Sequence, residues 1–194
     1  MNNANIRQNI KNQRSELTAE DIAAASVEIA QQLWKLPIMM RAQRIGCYFA
    51  VGGEVDCECI IAEAWARSKK TFLPILNSGE LKFSPYRANT EFLRNFYGIP
   101  EPCAKTSELK QPRELDVILM PLVSFDDHGN RLGMGGGYYD RTLRFMRNRQ
   151  VWLHPKLIGL AYDFQKSPQI KAFSWDIALH HVITETHLIN FSRQ

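Results

Sequence analysis

The hydrophobic positions of this chain fall into segments of alternating helical and extended spacing. Residues 5–16 contain no helix breaker, and Thr18 followed three residues later by Asp21 is typical of a helix start. An apolar stripe at helical spacing then leads up to Pro37, formed by Ile22, Ala25, Ile29, Ala30 and Leu33. The N-terminal segment is therefore predicted to form two helices, the second of which faces the core.

Extended and helical patterns alternate again further along the chain. Residues 44–51 and 71–75 are short apolar runs typical of strands, and residues 57–68 between them have helical spacing. Residues 81–86 alternate as a half-exposed strand does. Two segments without a regular pattern are expected next, an irregular stretch around 97–102 and a linker at 104–114.

The most apolar run of the chain, residues 115–125, is typical of a central parallel strand buried on both faces. A helix is predicted over roughly 138–149, followed by strands at 157–162 and around 180–185. Alternating strands and helices favour an α/β fold: a single open, mostly parallel sheet with helices on both faces, a Rossmann-like three-layer arrangement. We expect one domain over 1–194, with ligands bound at the carboxyl ends of the strands.

Four glycines are crowded into residues 133–137, between the strongest strand and a predicted helix. Glycine clusters weaken regular structure, and a tight structural turn is one explanation of this one. The other is a phosphate site, because bare backbone N–H groups before a helix form a cradle for anions. Arg131 before the loop can pair with phosphate and Asp140 after it can face Mg²⁺, so we favour the phosphate site.

Neither of two familiar phosphate-binding motifs matches this loop. A dinucleotide fingerprint requires glycine at position 138, which is Tyr138, and a Walker loop requires Lys followed by Ser or Thr after its last glycine. Glycine richness alone therefore does not identify the ligand.

Composition and charge narrow the class of protein. The net charge of +4 and pI near 8.9 fit anionic ligands but fall short of an obligate nucleic-acid binder. The four cysteines lack zinc-site spacing. The chain begins without an apolar signal core and contains no run long enough to span a membrane, so a cytoplasmic location is expected.

Residues 117–143, VILMPLVSFDDHGNRLGMGGGYYDRTL, resemble the signature of the 5-formyltetrahydrofolate cyclo-ligase family, also called methenyltetrahydrofolate synthetases. The resemblance covers nearly the whole chain. Supporting segments are IRQNIKNQR near the start, YFAVGGEVD (48–56), GIPEP (98–102), IGLAYD (158–163) and WDIALHHVITE (175–185).

The resemblance implies an enzyme that uses ATP and Mg²⁺ to convert 5-formyltetrahydrofolate into 5,10-methenyltetrahydrofolate, with release of ADP and phosphate. Arg131 and Asp140 are the implied catalytic residues. The implied ATP-binding residues are Asn3, Arg7, Arg131, Leu132, Gly133, Met134, Gly135, Gly136, Gly137, Tyr138 and Tyr139. Asn3 stands where the family has lysine, which places that one contact in question.

The same resemblance implies the folate and metal sites. The implied folate-binding residues are Phe49, Glu54, Met134, Gly135, Gly136, Gly137 and Tyr138. The implied Mg²⁺ ligands are Asp140 and Asp176. Four of these residues also have a purely structural explanation: Phe49 as a core ring, Glu54 and Asp140 as helix-capping acids, and Asp176 as a turn residue. One of Tyr138 and Tyr139 is expected to pack inward, and Gly135, Gly136 and Gly137 are expected to serve ligand approach rather than chain turning.

Two other functions remain open on the residues alone. A sugar-phosphate or coenzyme A ester enzyme on a similar α/β scaffold would use the same loop, although it has no reason to combine it with Glu54 and Asp140. A nucleic-acid-binding module is the second, motivated by Arg141, Arg144, Arg147 and Arg149. We expect no nucleic acid, membrane or obligate protein partner, and we interpret Lys11 and Arg14 as surface cations.

Overall fold

The computed structural model of the protein describes residues 2–147 and 154–191. Within them the helices are α1 (Asn3–Ser15), α2 (Ala19–Leu33), α3 (Pro37–Arg41), α4 (Glu58–Ala66) and α5 (Tyr138–Thr142). The strands are β1 (Arg44–Gly46), β2 (Lys70–Asn77), β3 (Glu80–Tyr86), β4 (Phe92–Arg94), β5 (Pro100–Pro102), β6 (Val117–Met120), β7 (Ser124–Phe125), β8 (Arg131–Leu132), β9 (Lys156–Leu160), β10 (His181–Ile183) and β11 (Leu188–Asn190).

Both predicted N-terminal helices are present, and the second begins where the sequence predicts. Thr18 and Asp21 form a reciprocal capping box at the start of α2, in which each side chain accepts from the other residue's backbone N–H. Helix α1 begins at Asn3, with the Asn2 side chain accepting from the Ala4 N–H. None of the helices in the described residues is long and apolar enough to cross a membrane.

Within the described ranges the main sheet has seven strands, in the order β11-β10-β9-β6-β1-β2-β3. The five inner strands run parallel to one another, whereas β11 and β3 pair antiparallel at the two edges. The predicted open, mostly parallel α/β sheet is therefore confirmed. Strand β11 and the antiparallel direction of β3 have no counterpart in the sequence-based prediction.

The two faces of the sheet carry separate cores. On one face, Ile45, Leu119 and Ile158 pack with buried residues of α2, α3 and α4. On the other face, Ile118 and Phe83 pack with Leu143 and with buried residues that follow it. The second face is covered more by turns and irregular segments than by helix, because α5 has only five residues.

The predicted central strand at 115–125 is shorter than expected. Strand β6 ends at Met120, and Pro121 follows it without a backbone N–H to continue the ladder. The last residues of the run form β7, which pairs antiparallel with β8. The glycine loop therefore follows a small hairpin rather than the central strand directly.

Three other boundaries also differ from prediction. The helix expected over 138–149 ends at Thr142 and gives way to a 3-10 turn at Arg144–Arg147, with its last two positions outside the described residues. The irregular stretch at 97–102 belongs to the β4–β5 hairpin. The segment at 104–114 is no linker, because Lys110 pairs with Phe83 at the edge of the sheet.

Candidate active site

A pocket of about 610 Å³ opens where the strand order of the sheet reverses. After β1 the chain continues to β2 on one side, whereas β6 and β9 lie on the other. Ligand sites in open α/β sheets form at such a point, outside the carboxyl ends of the strands. Phe49 after β1 and Pro121 after β6 both line this pocket. This pocket therefore lies where the sequence predicts a ligand site.

The pocket brings together every residue that the sequence singled out for binding or catalysis. The lining includes Asn3, Arg7, Phe49, Glu54, Arg131, Leu132, Gly133, Met134, Gly135, Gly136, Gly137, Tyr138, Tyr139, Asp140 and Asp176. These residues come from separate stretches of the chain that only the fold brings side by side.

The glycines of the loop are not equivalent. Gly135 and Gly137 have φ of +111° and +65°, a region that residues with a Cβ rarely adopt. Gly136 has no such φ, and the atoms nearest to a Cβ there belong to the Tyr138 ring, at 2.8 Å. The turn itself therefore requires glycine at positions 135 and 137, so the expectation that these two glycines do not serve chain turning is wrong. That all three serve ligand approach stays a prediction.

Arg131 and Asp140 form an ion pair across the loop. Arg131 Nη2 lies 2.7 Å from Asp140 Oδ1, and the arginine side chain is only 5% exposed. The same Oδ1 accepts the Ile177 N–H at 3.2 Å. Arg131 Nε is buried with no hydrogen-bond partner among the described residues. A buried guanidinium with an unpartnered N–H beside bare backbone suits an anion such as phosphate.

The two predicted metal ligands fit a magnesium ion held partly by phosphates. The Ile177 N–H bond on Asp140 brings the loop that carries Asp176 against the glycine loop. Asp140 Oδ2 and Asp176 Oδ1 accept no hydrogen bond from the described residues. Among residues 2–147 and 154–191, no group of three or more His, Cys, Asp or Glu is arranged so that it could hold a metal ion by itself. Mg²⁺ commonly takes one or two carboxylates and completes its octahedron with water and substrate phosphates.

The two tyrosines after the loop have different surroundings. Tyr138 lies at the rim, where its hydroxyl is 2.6 Å from that of Tyr97 and the Arg141 guanidinium lies over its ring. Tyr139 packs inward against the core, as expected for one of the pair. Its hydroxyl is buried without a partner among the described residues, and burial raises its pKa.

Glu54 lines the same pocket from the turn that follows β1, and it is 7% exposed. Its Oε2 accepts the Val51 N–H at 3.2 Å, and its Oε1 lies 3.7 Å from Arg14 Nη2, a longer ion-pair contact. Burial raises the pKa of this carboxyl, and Arg14 and the Val51 N–H oppose the shift. Glu54 therefore keeps one carboxylate oxygen for a ligand.

The interpretation of Arg14 as a surface cation is wrong. Its side chain is 3% exposed, and it donates to the carbonyl oxygens of Val51 and Gly52 at 2.6 to 2.9 Å. The sequence does carry a signal, because Arg14 follows Ile6 and Ile10 at steps of four along the buried stripe of α1. Lys11, interpreted the same way, is exposed.

Two polar residues at the start of α1 also reach the site. Arg7 Nε donates to the Gly133 carbonyl at 2.8 Å and thereby holds the beginning of the glycine loop. Asn3 exchanges hydrogen bonds with the backbone of Lys171, at 3.1 and 3.4 Å. The lysine that the family has at position 3 is thus replaced by a residue that here joins two walls of the pocket.

Sequence reasoning missed two further walls of the pocket. One is the β4–β5 hairpin, which contributes Asn95 and Tyr97 at its turn. The other is the segment before Asp176, where the Phe173 and Trp175 rings stack with centroids 4.8 Å apart. Exposed aromatic residues in turns leave no periodic signal, so only the folded structure reveals them.

The arginines that motivated a nucleic-acid-binding module belong mainly to the pocket. Arg141, Arg144 and Arg147 all line it, and Arg144 pairs with Glu80 at 2.6 Å. Arg141 donates to the carbonyls of Gly79 and Gly136. Arg149 lies outside the described residues.

Comparison with known proteins decides the family. The model of the 5-formyltetrahydrofolate cyclo-ligase family matches residues 1–185. The chain belongs to this family. It is 35% identical to the 5-formyltetrahydrofolate cyclo-ligase of Haemophilus influenzae over 92% of this chain and 95% of that protein. It is 34% identical to the Escherichia coli K12 enzyme of the same name over 90% of this chain and 96% of that protein.

Solved structures agree with this assignment. The NMR structure of Aquifex aeolicus 5,10-methenyltetrahydrofolate synthetase superimposes with a TM-score of 0.84 and 27% identity over 100% of this chain and 95% of that one. The synthetase from Mycoplasma pneumoniae gives a TM-score of 0.73 and 25% identity over 95% of this chain and 99% of that one. The predicted family, the α/β fold and the class of enzyme, a ligase, are therefore confirmed.

Proposed function

We propose that this cyclo-ligase family member converts 5-formyltetrahydrofolate into 5,10-methenyltetrahydrofolate in a reaction that consumes ATP, requires Mg²⁺ and releases ADP and phosphate. The observation that carries the proposal is the arrangement of one pocket. An oriented carboxylate, Glu54, lines it together with the glycine loop and the Arg131–Asp140 pair. A folate needs an acceptor for its N–H groups, which the Glu54 carboxylate can provide. A nucleoside triphosphate needs donors for its phosphates, which the glycine loop and Arg131 can provide.

Glu54 is assigned to the pterin. Its Oε2 is held by the Val51 N–H, which fixes the direction of the carboxylate and leaves Oε1 for the substrate. A carboxylate that accepts N–H bonds from the pterin edge is a strong and oriented anchor. Phe49, whose ring contacts those of Tyr86 and Phe92, provides an apolar wall beside it.

The glycine loop and Arg131 are assigned to the phosphates of ATP. Gly136 presents bare backbone to the pocket, and Arg131 supplies a guanidinium whose buried Nε has no partner among the described residues. Arg7 holds the loop through the Gly133 carbonyl. Asp140 and Asp176 would hold Mg²⁺, which when bound neutralises the charge that develops on the transferring phosphoryl group.

The chemical difficulty is the formyl group, whose carbonyl oxygen is a poor leaving group. In the proposed route the γ-phosphoryl group of ATP passes to that oxygen: the bond to ADP breaks and a new P–O bond forms. The neighbouring N–H nitrogen of the folate's own side chain then attacks the formyl carbon and gives up its proton to solvent, and the C–O bond breaks to release phosphate. The residues of the pocket position the two substrates and stabilise charge.

An absorbance assay tests the proposal. Purified protein is mixed with 5-formyltetrahydrofolate, ATP and Mg²⁺, and the methenyl chromophore is followed over time. We expect product only when ATP and the divalent metal are both present. Product formed without ATP, or no product with all components, would contradict the proposed function. The sugar-phosphate and coenzyme A alternatives predict no chromophore in any of these mixtures.

A further inference from the structure

Helix α1 joins two parts of the pocket wall. Near its start Arg7 donates to the Gly133 carbonyl at 2.8 Å, in the glycine loop. Two turns later Arg14 donates through Nε and Nη2 to the Gly52 carbonyl, and through Nη2 to the Val51 carbonyl at 2.8 Å. One rigid element thereby fixes both the loop assigned to phosphate and the turn that carries the acid assigned to folate.

The turn before Glu54 is built against Arg14. Gly52 and Gly53 have φ of +56° and +73°. A Cβ on Gly53 would lie 2.9 Å from the Arg14 carbonyl oxygen, so only glycine permits so close an approach of the turn to α1. The Arg14 guanidinium then reaches two carbonyls of the turn and lies 3.7 Å from Glu54 Oε1. Both the backbone and the side chain of Arg14 therefore contact the turn that carries Glu54.

Arg14 is the cation that the structure places against Glu54 within the described residues. Burial raises the pKa of Glu54, and Arg14 lowers it. The other titratable groups that interact with Glu54 carry no positive charge, and burial raises the pKa of each of them. They are Tyr48 beyond β1, Cys57 before α4 with a pKa of about 12, Tyr139 in α5, and Tyr162 beyond β9 with a pKa of about 12.

We propose that Arg14 is a positioning residue for folate: it fixes the Val51–Glu54 turn and keeps the buried Glu54 carboxylate ionised towards the pocket. This inference rests on the proposed function of Glu54 as the pterin anchor. Arg14 itself need not touch the substrate. Removing one partner of a buried charge pair leaves the other uncompensated, and a lone buried carboxyl responds by binding a proton.

The test compares Arg14→Met, Arg14→Lys and the control Lys11→Met, which changes an exposed residue of the same helix. Arg14→Met should raise the apparent folate KM at neutral pH by at least about tenfold, because a neutral Glu54 is a poor acceptor. The ATP KM should change by less than about twofold, and Lys11→Met should behave as the wild type.

The pH profile separates positioning from a merely structural role. Without Arg14 the pKa of Glu54 rises further, so the carboxylate forms only at higher pH. The folate KM of Arg14→Met should therefore fall towards the wild-type value as the pH is raised from about 6 to about 9. Arg14→Lys keeps the charge and should restore a flat profile, although its single ammonium cannot hold both carbonyls. In a Glu54→Gln background, Arg14→Met should add no pH dependence. An infrared carboxyl band assigned by the Glu54→Gln difference should report the same protonation without turnover.

The inference is overturned if Arg14→Met leaves the folate KM as in Lys11→Met. It is also overturned if both substrate KM values rise equally and stay flat with pH, which is the result of general damage to the fold. The proposed function fails in a different way. In that case the wild-type protein neither binds 5-formyltetrahydrofolate nor forms the methenyl product, whether or not the infrared band responds to Arg14.

Discussion

Gly136→Ala tests whether the loop binds phosphate or only turns the chain. Gly136 lacks the positive φ that disfavours alanine at Gly135 and Gly137. An alanine Cβ at position 136 would come within 2.8 Å of the Tyr138 ring, and both groups line the pocket where we place the triphosphate. The half-exposed ring sits at the rim and is able to shift. The added methyl should therefore interfere with ATP far more than with folding.

Gly79→Ala is the control for backbone strain outside the pocket, and Gly135→Ala carries the same kind of strain inside it. Both glycines have positive φ, +83° and +111°, and a Cβ at either position would meet open space, but only Gly135 lines the pocket. Alanine in such a conformation costs on the order of 1–2 kcal/mol. For a chain of this size that loss lowers the melting temperature by roughly 2–8 °C. Gly136→Ala should change it by less than about 2 °C.

Calorimetric ATP affinity, turnover per folded molecule and melting temperature are measured for the three variants. Gly136→Ala should weaken ATP binding by at least about tenfold, equivalent to about 1.4 kcal/mol, and should lose turnover. Gly79→Ala should lose stability but keep its ATP affinity and turnover, whereas Gly135→Ala should lose both stability and ATP affinity. If Gly136→Ala instead keeps its ATP affinity and turnover, the loop at that position is a structural turn and the phosphate assignment is wrong.

Three further predictions concern other groups. Asp140→Asn should lose most Mg²⁺-dependent turnover while still binding ATP, and titration of both ligands checks this; unchanged metal dependence contradicts it. Glu54→Gln should weaken folate binding by about 1.5–3 kcal/mol without affecting ATP, and equal effects on both ligands would return Glu54 to a capping role. Burial raises the pKa of Cys57 to about 12, so a thiol reagent near pH 8 should label the exposed Cys59 and Cys103 but spare Cys57 until denaturation.

The sequence predicted the chemistry of the site better than its geometry. The glycine loop, Arg131, Asp140 and Glu54 are recognisable because unusual residue types stand close together or match a family signature. The burial of Arg14 could have been inferred from its place after Ile6 and Ile10 on the buried stripe of α1, but its partner could not, because only the fold brings the Gly52–Gly53 turn onto it. The direction of a side chain on a half-buried helix depends on what the rest of the chain places opposite.

The fold, too, was predictable in some elements and not in others. The inner strands carry strong apolar runs, so the parallel sheet was predictable from residues such as those at 117–120 and 157–160. The β4–β5 hairpin is built from exposed residues and prolines, and its pairing depends on tertiary contacts such as the Leu76 N–H donating to Glu101. Strands of only three residues are too short to give a periodic pattern of apolar positions.

The fate of the formyl oxygen is the most direct test of the central claim that the pocket joins phosphoryl transfer to ring closure. 5-Formyltetrahydrofolate enriched with heavy oxygen in the formyl group is converted by the wild-type protein with ATP and Mg²⁺, and the released phosphate is analysed by mass spectrometry. We expect the label in inorganic phosphate, because that oxygen leaves bound to phosphorus. Label recovered in water, with none in phosphate, would contradict the claim.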